Sequence, residues 1–214
     1  MTDDPIETRS TDGLLLEAVL DAPDEPKAVV VMCHPHPQMG GTMNAPLLLA
    51  VRDALVAEGW AVLRFNFRGI GASEGTSSTG RAEVADAAGA VRTARDRFDG
   101  FPVAIAGWSF GAAVAVRYTT EDRDLAACVA IAPAVRERPG ITDGLPDPND
   151  VNVDAPLLIV CGANDDLVEV EDCRAWAELV AGAEFIELRG ANHFFWGKYD
   201  DLAATVSDFL DDVI

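Results

Sequence analysis

Gly107-Trp108-Ser109-Phe110-Gly111 sets a serine between two glycines, after the apolar residues 103–106 and before the small-residue stretch 112–116. Strand, one sharp turn and helix are implied, with the serine at the apex, which is the form of a strained nucleophile elbow. A hydroxyl is a poor nucleophile at neutral pH unless a base takes its proton. The histidines are His34, His36 and His193. The chain order serine, acid, histidine that goes with this strand–turn–helix arrangement selects His193 as the base. An acid that holds the imidazole tautomer and stabilises the imidazolium should come from residues 162–168, where Asp165 and Asp166 are adjacent. Asp165 is the expected partner and Asp166 a solvated neighbour or helix-start residue. Each choice has a plainer counterpart: Ser109 as a helix N-cap and His193 as a hydrogen-bonded loop residue.

A tetrahedral oxyanion needs two backbone donors aimed at one point. The N–H of Phe110, at a helix N-terminus, is the first. The second should lie after the strand that ends at Cys33, in His34-Pro35-His36-Pro37. Proline has no N–H, so the donor is His34 or His36, and His36 is chosen. Trp108, Phe110, Phe194, Phe195 and Trp196, with His34, flank the site and are expected to form an apolar pocket, core packing being the plainer account of the aromatics. H-x-H at a strand end also fits a hydrolytic metal site completed by Asp165 or His193. That would leave Ser109 without a task, so no metal is expected. The loop Arg68-Gly69-Ile70-Gly71-Ala72-Ser73-Glu74-Gly75 has G-x-G-x-x-x-G spacing and fails the dinucleotide fingerprint.

The elements that must hold these residues alternate. Strands are expected at 6–11 and 14–20, a hairpin around Asp12-Gly13, then at 28–33, 61–67, 103–106, 125–132, 156–161 and 183–188. Helices are expected at 44–58, 81–98, up to 120 after the elbow, 169–181 and 198–214. Such alternation implies right-handed crossovers and a mostly parallel sheet with helices on both faces. Sites in such sheets gather beyond the carboxyl ends of the strands, where every residue singled out above lies. Residues 133–155, rich in Pro, Gly and Asp, are too few for a multi-helix cap, so a shallow, open site is expected.

A chain of 214 residues reads most simply as one domain, 1–214, able to bury roughly 70% of its unfolded surface. Cys33, Cys128, Cys161 and Cys173 show no C-x-x-C spacing and read as reduced thiols, mostly buried hydrophobes. No signal segment opens the acidic, polar stretch 1–9, and no apolar run reaches the ~18 residues of a membrane span. A cytoplasmic protein is expected. The net charge is −20, with 36 acidic and 16 basic residues, of which only Lys27 and Lys198 are lysines. Such a charge speaks against nucleic acid as partner. Self-repulsion reaches about 8 Å at physiological salt but about 3 Å at 1 M, so the composition points to a halophilic source. It also disfavours strongly anionic substrates unless Arg68 or Arg136 compensates.

These pieces together resemble the α/β-hydrolase superfamily, and more closely its small cytoplasmic members with an HPHP…GGT turn. The matching residues are His34-Pro35-His36-Pro37 with Gly40-Gly41-Thr42-Met43, Arg64-Phe65-Asn66-Phe67-Arg68-Gly69 with Gly71, Gly107 to Gly111, Gly162 with Asp165, and Asn192-His193-Phe194-Phe195. Ala45 stands where an amide residue is expected, and Asn66 where the wider superfamily often has an acid. Dienelactone hydrolases are similar but use cysteine where this chain has Ser109. The resemblance implies the α/β-hydrolase fold, with about seven or eight strands and minimal or no cap. It also implies a Ser109–Asp165–His193 triad and no cofactor. The expected activity is hydrolysis of small- to medium-chain carboxylic esters, thioesters included. A small amidase or peptidase with the same triad, or a non-catalytic binding domain, is the alternative. The expected partners are a small-molecule ester and, as the assembly to test, a second copy in a homodimer; neither nucleic acid nor membrane is expected.

Overall fold

Val29, Val31 and Cys33 join one apolar cluster and Ala28, Val30 and Met32 another, all six fully buried. Strand β3 (Ala28–Cys33) is therefore covered on both faces, which is why it reads as a continuous apolar run. A computed structural model describes residues 4–214. Residues 1–3, where the stretch read as lacking a signal segment begins, lie outside the described residues. Strands β1 (Asp4–Arg9), β2 (Leu15–Asp21), β3, β4 (Trp60–Phe65), β5 (Val103–Trp108), β6 (Cys128–Ile131), β7 (Leu157–Gly162) and β8 (Ala183–Leu188) form one sheet in the order β1-β2-β4-β3-β5-β6-β7-β8. The expected hairpin supplies the antiparallel edge, β1 on β2 and β2 on β4. From β4 to β8 every pairing is parallel.

Helices α1 (Pro46–Ala57) and α5 (Tyr199–Val213) cover one face, through Leu47, Leu48, Val51 and Leu55 of the first and Leu202, Val206, Phe209 and Leu210 of the second. Helices α2 (Glu83–Arg97), α3 (Phe110–Glu121) and α4 (Val170–Leu179) cover the other, with Ala87, Ala90 and Val91, Ala112 to Val116, and Cys173, Trp176 and Ala177. The order reverses at β3, which has β4 on one side and β5 on the other. The loops after β3 and β5 therefore open a crevice at the carboxyl end of the sheet.

Two strands are shorter than expected. β4 stops at Phe65 because the next two N–H groups leave the ladder: Asn66 donates to the Glu17 carbonyl (2.8 Å) and Phe67 to the His34 ring (3.0 Å). β6 stops at Ile131 because Ala132 turns at φ 42°. Residues 133–155 hold an isolated bridge, Arg138 with Thr142, and a single 3-10 turn, Pro148–Asp150; no α-helix lies among them. A buried pair, Arg64 Nε to Asp21 Oδ2 (2.8 Å), ties β4 to β2. The same guanidinium donates to Asn44 Oδ1 (2.7 Å), and Asn66 Oδ1 accepts from Met43 N–H (2.8 Å). Asn44, next to the expected amide position at Ala45, thus anchors the segment that follows the His-Pro turn.

Candidate active site

Ser109 sits at φ 55°, ψ −112°, a region that costs a residue with a side chain about 1–3 kcal/mol and persists only where its surroundings impose it. Here they do. Its N–H donates to the Ile131 carbonyl (2.8 Å), and its own carbonyl accepts from Ala112 (3.1 Å), Ala113 (3.2 Å) and Ala134 (3.2 Å). The flanking glycines are steric requirements. A Cβ on Gly107 would lie 2.3 Å from the Gly111 carbonyl oxygen, and one on Gly111 would lie 2.3 Å from that of Cys33. The turn can close only with glycine at both positions.

The loops after β7 and β8 run against each other because Gly162 has no side chain: a Cβ there would meet the Ala191 carbonyl at 2.6 Å. Asn164 N–H donates to that carbonyl (2.8 Å). This brings Asp165 Oδ2 to 2.8 Å from His193 Nδ1, and His193 Nε2 lies 3.1 Å from Ser109 Oγ. The other carboxylate oxygen, Oδ1, accepts from the N–H groups of Leu167 (2.9 Å) and Val168 (2.8 Å), which fixes its orientation. With the carboxylate ionised, Nδ1 carries the proton and Nε2 accepts from the serine hydroxyl. Asp165 and His193 side chains are 1% and 6% exposed. Asp166 is exposed and stays outside this chain of contacts.

Neighbouring side chains hold the histidine loop. Asn192 Oδ1 accepts from Phe194 N–H (3.1 Å), Trp108 Nε1 donates to the His193 carbonyl (3.2 Å), and fully buried Phe195 turns the chain at φ 52°.

In the His-Pro turn the two imidazoles have different settings. His34 is fully buried; its Nδ1–H donates to the Pro35 carbonyl (2.7 Å) and its Nε2 accepts from Phe67 N–H. Burial pushes its pKa down to about 4, against the hydrogen bond to Pro35, so the ring is neutral. Both ring nitrogens are engaged, leaving neither for a metal. His36 Nδ1 accepts from Gln38 N–H (3.2 Å) and Nε2 donates to the Ile141 carbonyl (2.9 Å), which joins the turn to residues 133–155. The His36 N–H donates to no acceptor among the described residues. Phe110 opens α3, so its N–H has no partner within the helix.

Ser109, His193, His36 and Phe110 all border a cavity of about 130 Å³. The expected pocket is corrected here: His34, Trp108, Phe194 and Phe195 do not line it. His34 is sealed beneath the turn, 4.7 Å from the Phe67 ring. Trp108 and Phe195 belong to the apolar cluster under α1 and α5, and Phe194 packs against it. Trp196 is 66% exposed and stacks on Phe194 at 4.8 Å. The apolar lining comes instead from Met39, Val135, Ile141, Leu167 and Val168, with Arg136, Arg138, Glu169 and Asp172 at its edge. The signal for it is faint: isolated apolar residues in loops otherwise made of Pro, Gly and charge.

Chemically, the arrangement offers a hydroxyl hydrogen-bonded to a base oriented by a carboxylate, beside two amide N–H groups. Residues 24–151, more than half of the chain, match the protein family described as serine aminopeptidase, S33. The fold is similar to an α/β serine hydrolase homologue from Coxiella burnetii, with 30% identity and a TM-score of 0.86 over 98% of each chain. It is similar as well to an α/β serine hydrolase without lid from Xanthomonas campestris, with 24% identity and a TM-score of 0.82 over 97% of this chain and 93% of that one. An esterase from Pyrococcus furiosus shares the fold at 20% identity, with a TM-score of 0.84 over 99% of this chain and 93% of the other.

Proposed function

The chain belongs to the serine hydrolase family described as serine aminopeptidase, S33, and we propose that it hydrolyses carboxylic esters, thioesters included, through an acyl-enzyme at Ser109. The observation that carries this reading is the unbroken contact chain from Asp165 through His193 to Ser109 Oγ. His193 Nε2 takes the hydroxyl proton as Oγ attacks the acyl carbon, and Asp165 stabilises the imidazolium. Charge develops on the former carbonyl oxygen, where the N–H groups of Phe110 and His36 receive it. The imidazolium then protonates the leaving alkoxide. Water repeats the sequence on the acyl-enzyme and frees the acid, with Ser109 regaining its proton. No cofactor takes part, and the substrate is a small soluble ester.

The family description favours a second reading, cleavage of an N-terminal residue. An aminopeptidase needs an anionic group for the substrate ammonium. The carboxylates bordering the cavity, Glu169 and Asp172, are both paired with Arg136, which favours the ester. The test is labelling of the pure protein with a fluorophosphonate probe, alongside Ser109→Ala, followed by p-nitrophenyl esters of graded chain length and aminoacyl p-nitroanilides. Labelling of the wild type alone is expected, with Ser109→Ala slower on esters by at least about 10⁴. An unlabelled wild type sinks the acyl-enzyme. Turnover of the anilides in preference to the esters selects the aminopeptidase.

A further inference from the structure

The cavity beside Ser109 has an apolar body and a border that carries two guanidinium groups, Arg136 and Arg138, and two carboxylates, Glu169 and Asp172. Met39, Ile141 and Leu167 reach it from three separate loops, and each is exposed despite its size. The two guanidinium groups at the edge differ. Arg136 is paired with Asp172 and, at 3.8 Å, with Glu169, so two carboxylates more than offset its charge within the cavity itself. Arg138 has no carboxylate within 4.0 Å among the described residues. Its Nη2 donates to the Leu167 carbonyl (2.8 Å), which holds the group across the cavity edge. A guanidinium has five N–H donors in a planar fork, and that bond uses one of them.

In this chain an arginine without an acid is selective by position. Most basic side chains are ion-paired, and Arg68, the other compensating cation considered from the sequence, lies between Asp12 and Asp86. The apolar lining suits a short methylene chain, and a guanidinium beyond it suits a carboxylate, which it binds through two parallel N–H···O bonds. Resting on the ester-hydrolase reading, we propose that the preferred substrates are esters whose chain ends in a carboxylate, with Arg138 as the residue that selects them.

The test compares length-matched pairs in which a terminal methyl is exchanged for a carboxylate. On the acyl side these are p-nitrophenyl butyrate, pentanoate and hexanoate against the hemiesters of succinate, glutarate and adipate, each corrected for its uncatalysed rate. On the alcohol side they are the butyryl esters of 1-butanol and 4-hydroxybutyrate. At least one charged substrate should exceed its neutral partner about tenfold in kcat/KM, and Arg138→Gln should bring that ratio close to one. Arg138→Lys, which keeps the charge and loses the fork, should retain part of it. No preference in the wild type, or a preference that survives Arg138→Gln, overturns the assignment. Fluorophosphonate labelling run on the same samples separates the two readings: a labelled enzyme without the preference removes only the role of Arg138, whereas an unlabelled one removes the ester hydrolase beneath it.

Discussion

Two regions meet at Ser109 and are held by different means. Under the serine, the ends of β3, β5, β7 and β8 are fixed by backbone: parallel ladders, the Ile131 and Ala191 carbonyls accepting from Ser109 N–H and Asn164 N–H, and glycines where a Cβ would strike main chain. Facing it, residues 133–145 carry the arginine-edged side of the cavity. They are tied to their surroundings largely by side chains reaching carbonyls: His36 to Ile141, Arg138 to Leu167, and Arg117 to Asp143 and Gly144 (2.9 Å each). Backbone contacts survive most substitutions and leave little room for adjustment. Side-chain ties are lost one at a time. The molecule thus sets a backbone-fixed serine turn against a cavity wall held by side chains.

The same substitution made in both regions exposes the difference most sharply. In Gly111→Ala the new methyl would lie 2.3 Å from the Cys33 oxygen and 2.4 Å from the His34 oxygen, both main-chain atoms at the end of a central strand. Neither can swing aside, so the elbow must open. The expected result is a loss of several kcal/mol and no fluorophosphonate labelling of whatever folds. Gly140→Ala, at φ 75° with nothing within 4 Å, meets only the left-handed backbone penalty of about 1 kcal/mol and should keep its labelling rate. Thermal unfolding with labelling kinetics reads both. A Gly111→Ala enzyme that labels normally would mean that the elbow is not backbone-determined.

A smaller effect comes from His34, the brace between the ends of β3 and β4. Its pKa is about 4 in the folded protein, against about 6.5 when unfolded. Between these values the unfolded chain binds the proton and the folded one does not, so stability falls as pH falls. The contribution of the neutral ring is complete above about pH 6.5 and is lost progressively towards pH 4. By pH 5 the loss is about 2 kcal/mol. In His34→Gln, whose side-chain carbonyl can still accept from Phe67 N–H, that part of the slope should vanish. Every other titratable group is common to the two proteins, so the difference between the two denaturation curves isolates His34. Parallel curves from pH 7 to 5 would refute a buried neutral ring.

What could be read from the chain follows the same division. Alternating apolar runs and helical stretches are local signals, and they placed the sheet, its antiparallel edge and both helical layers. Ser109, Asp165 and His193 each stand just beyond a strand end, so chain order was enough to group them. The cavity lining was not legible, because nearness along the chain says nothing about which face a side chain takes. Trp108 adjoins Ser109 and Phe195 lies two residues from His193, yet both turn beneath α1 and α5. Val135, Ile141 and Leu167 become neighbours only through long-range packing of irregular loops.

Trp108 gives the subtlest contrast, since it belongs to the backbone-built region but acts there through a side chain. Its indole N–H reaches the His193 carbonyl, and its ring lies 6.0 Å from the imidazole and from Phe194. Trp108→Phe keeps an aromatic under the loop and removes the donor. The His193 carbonyl is then left short of a partner, a loss of about 1 kcal/mol, and the loop gains freedom at the residue whose Nε2 must meet Ser109 Oγ. Misplacing a base lowers kcat while leaving substrate binding intact. The expected variant melts a few degrees lower, with kcat down about tenfold and KM within about twofold. If Trp108 served only to fill the core, the melting temperature would fall and kcat per labelled enzyme would not.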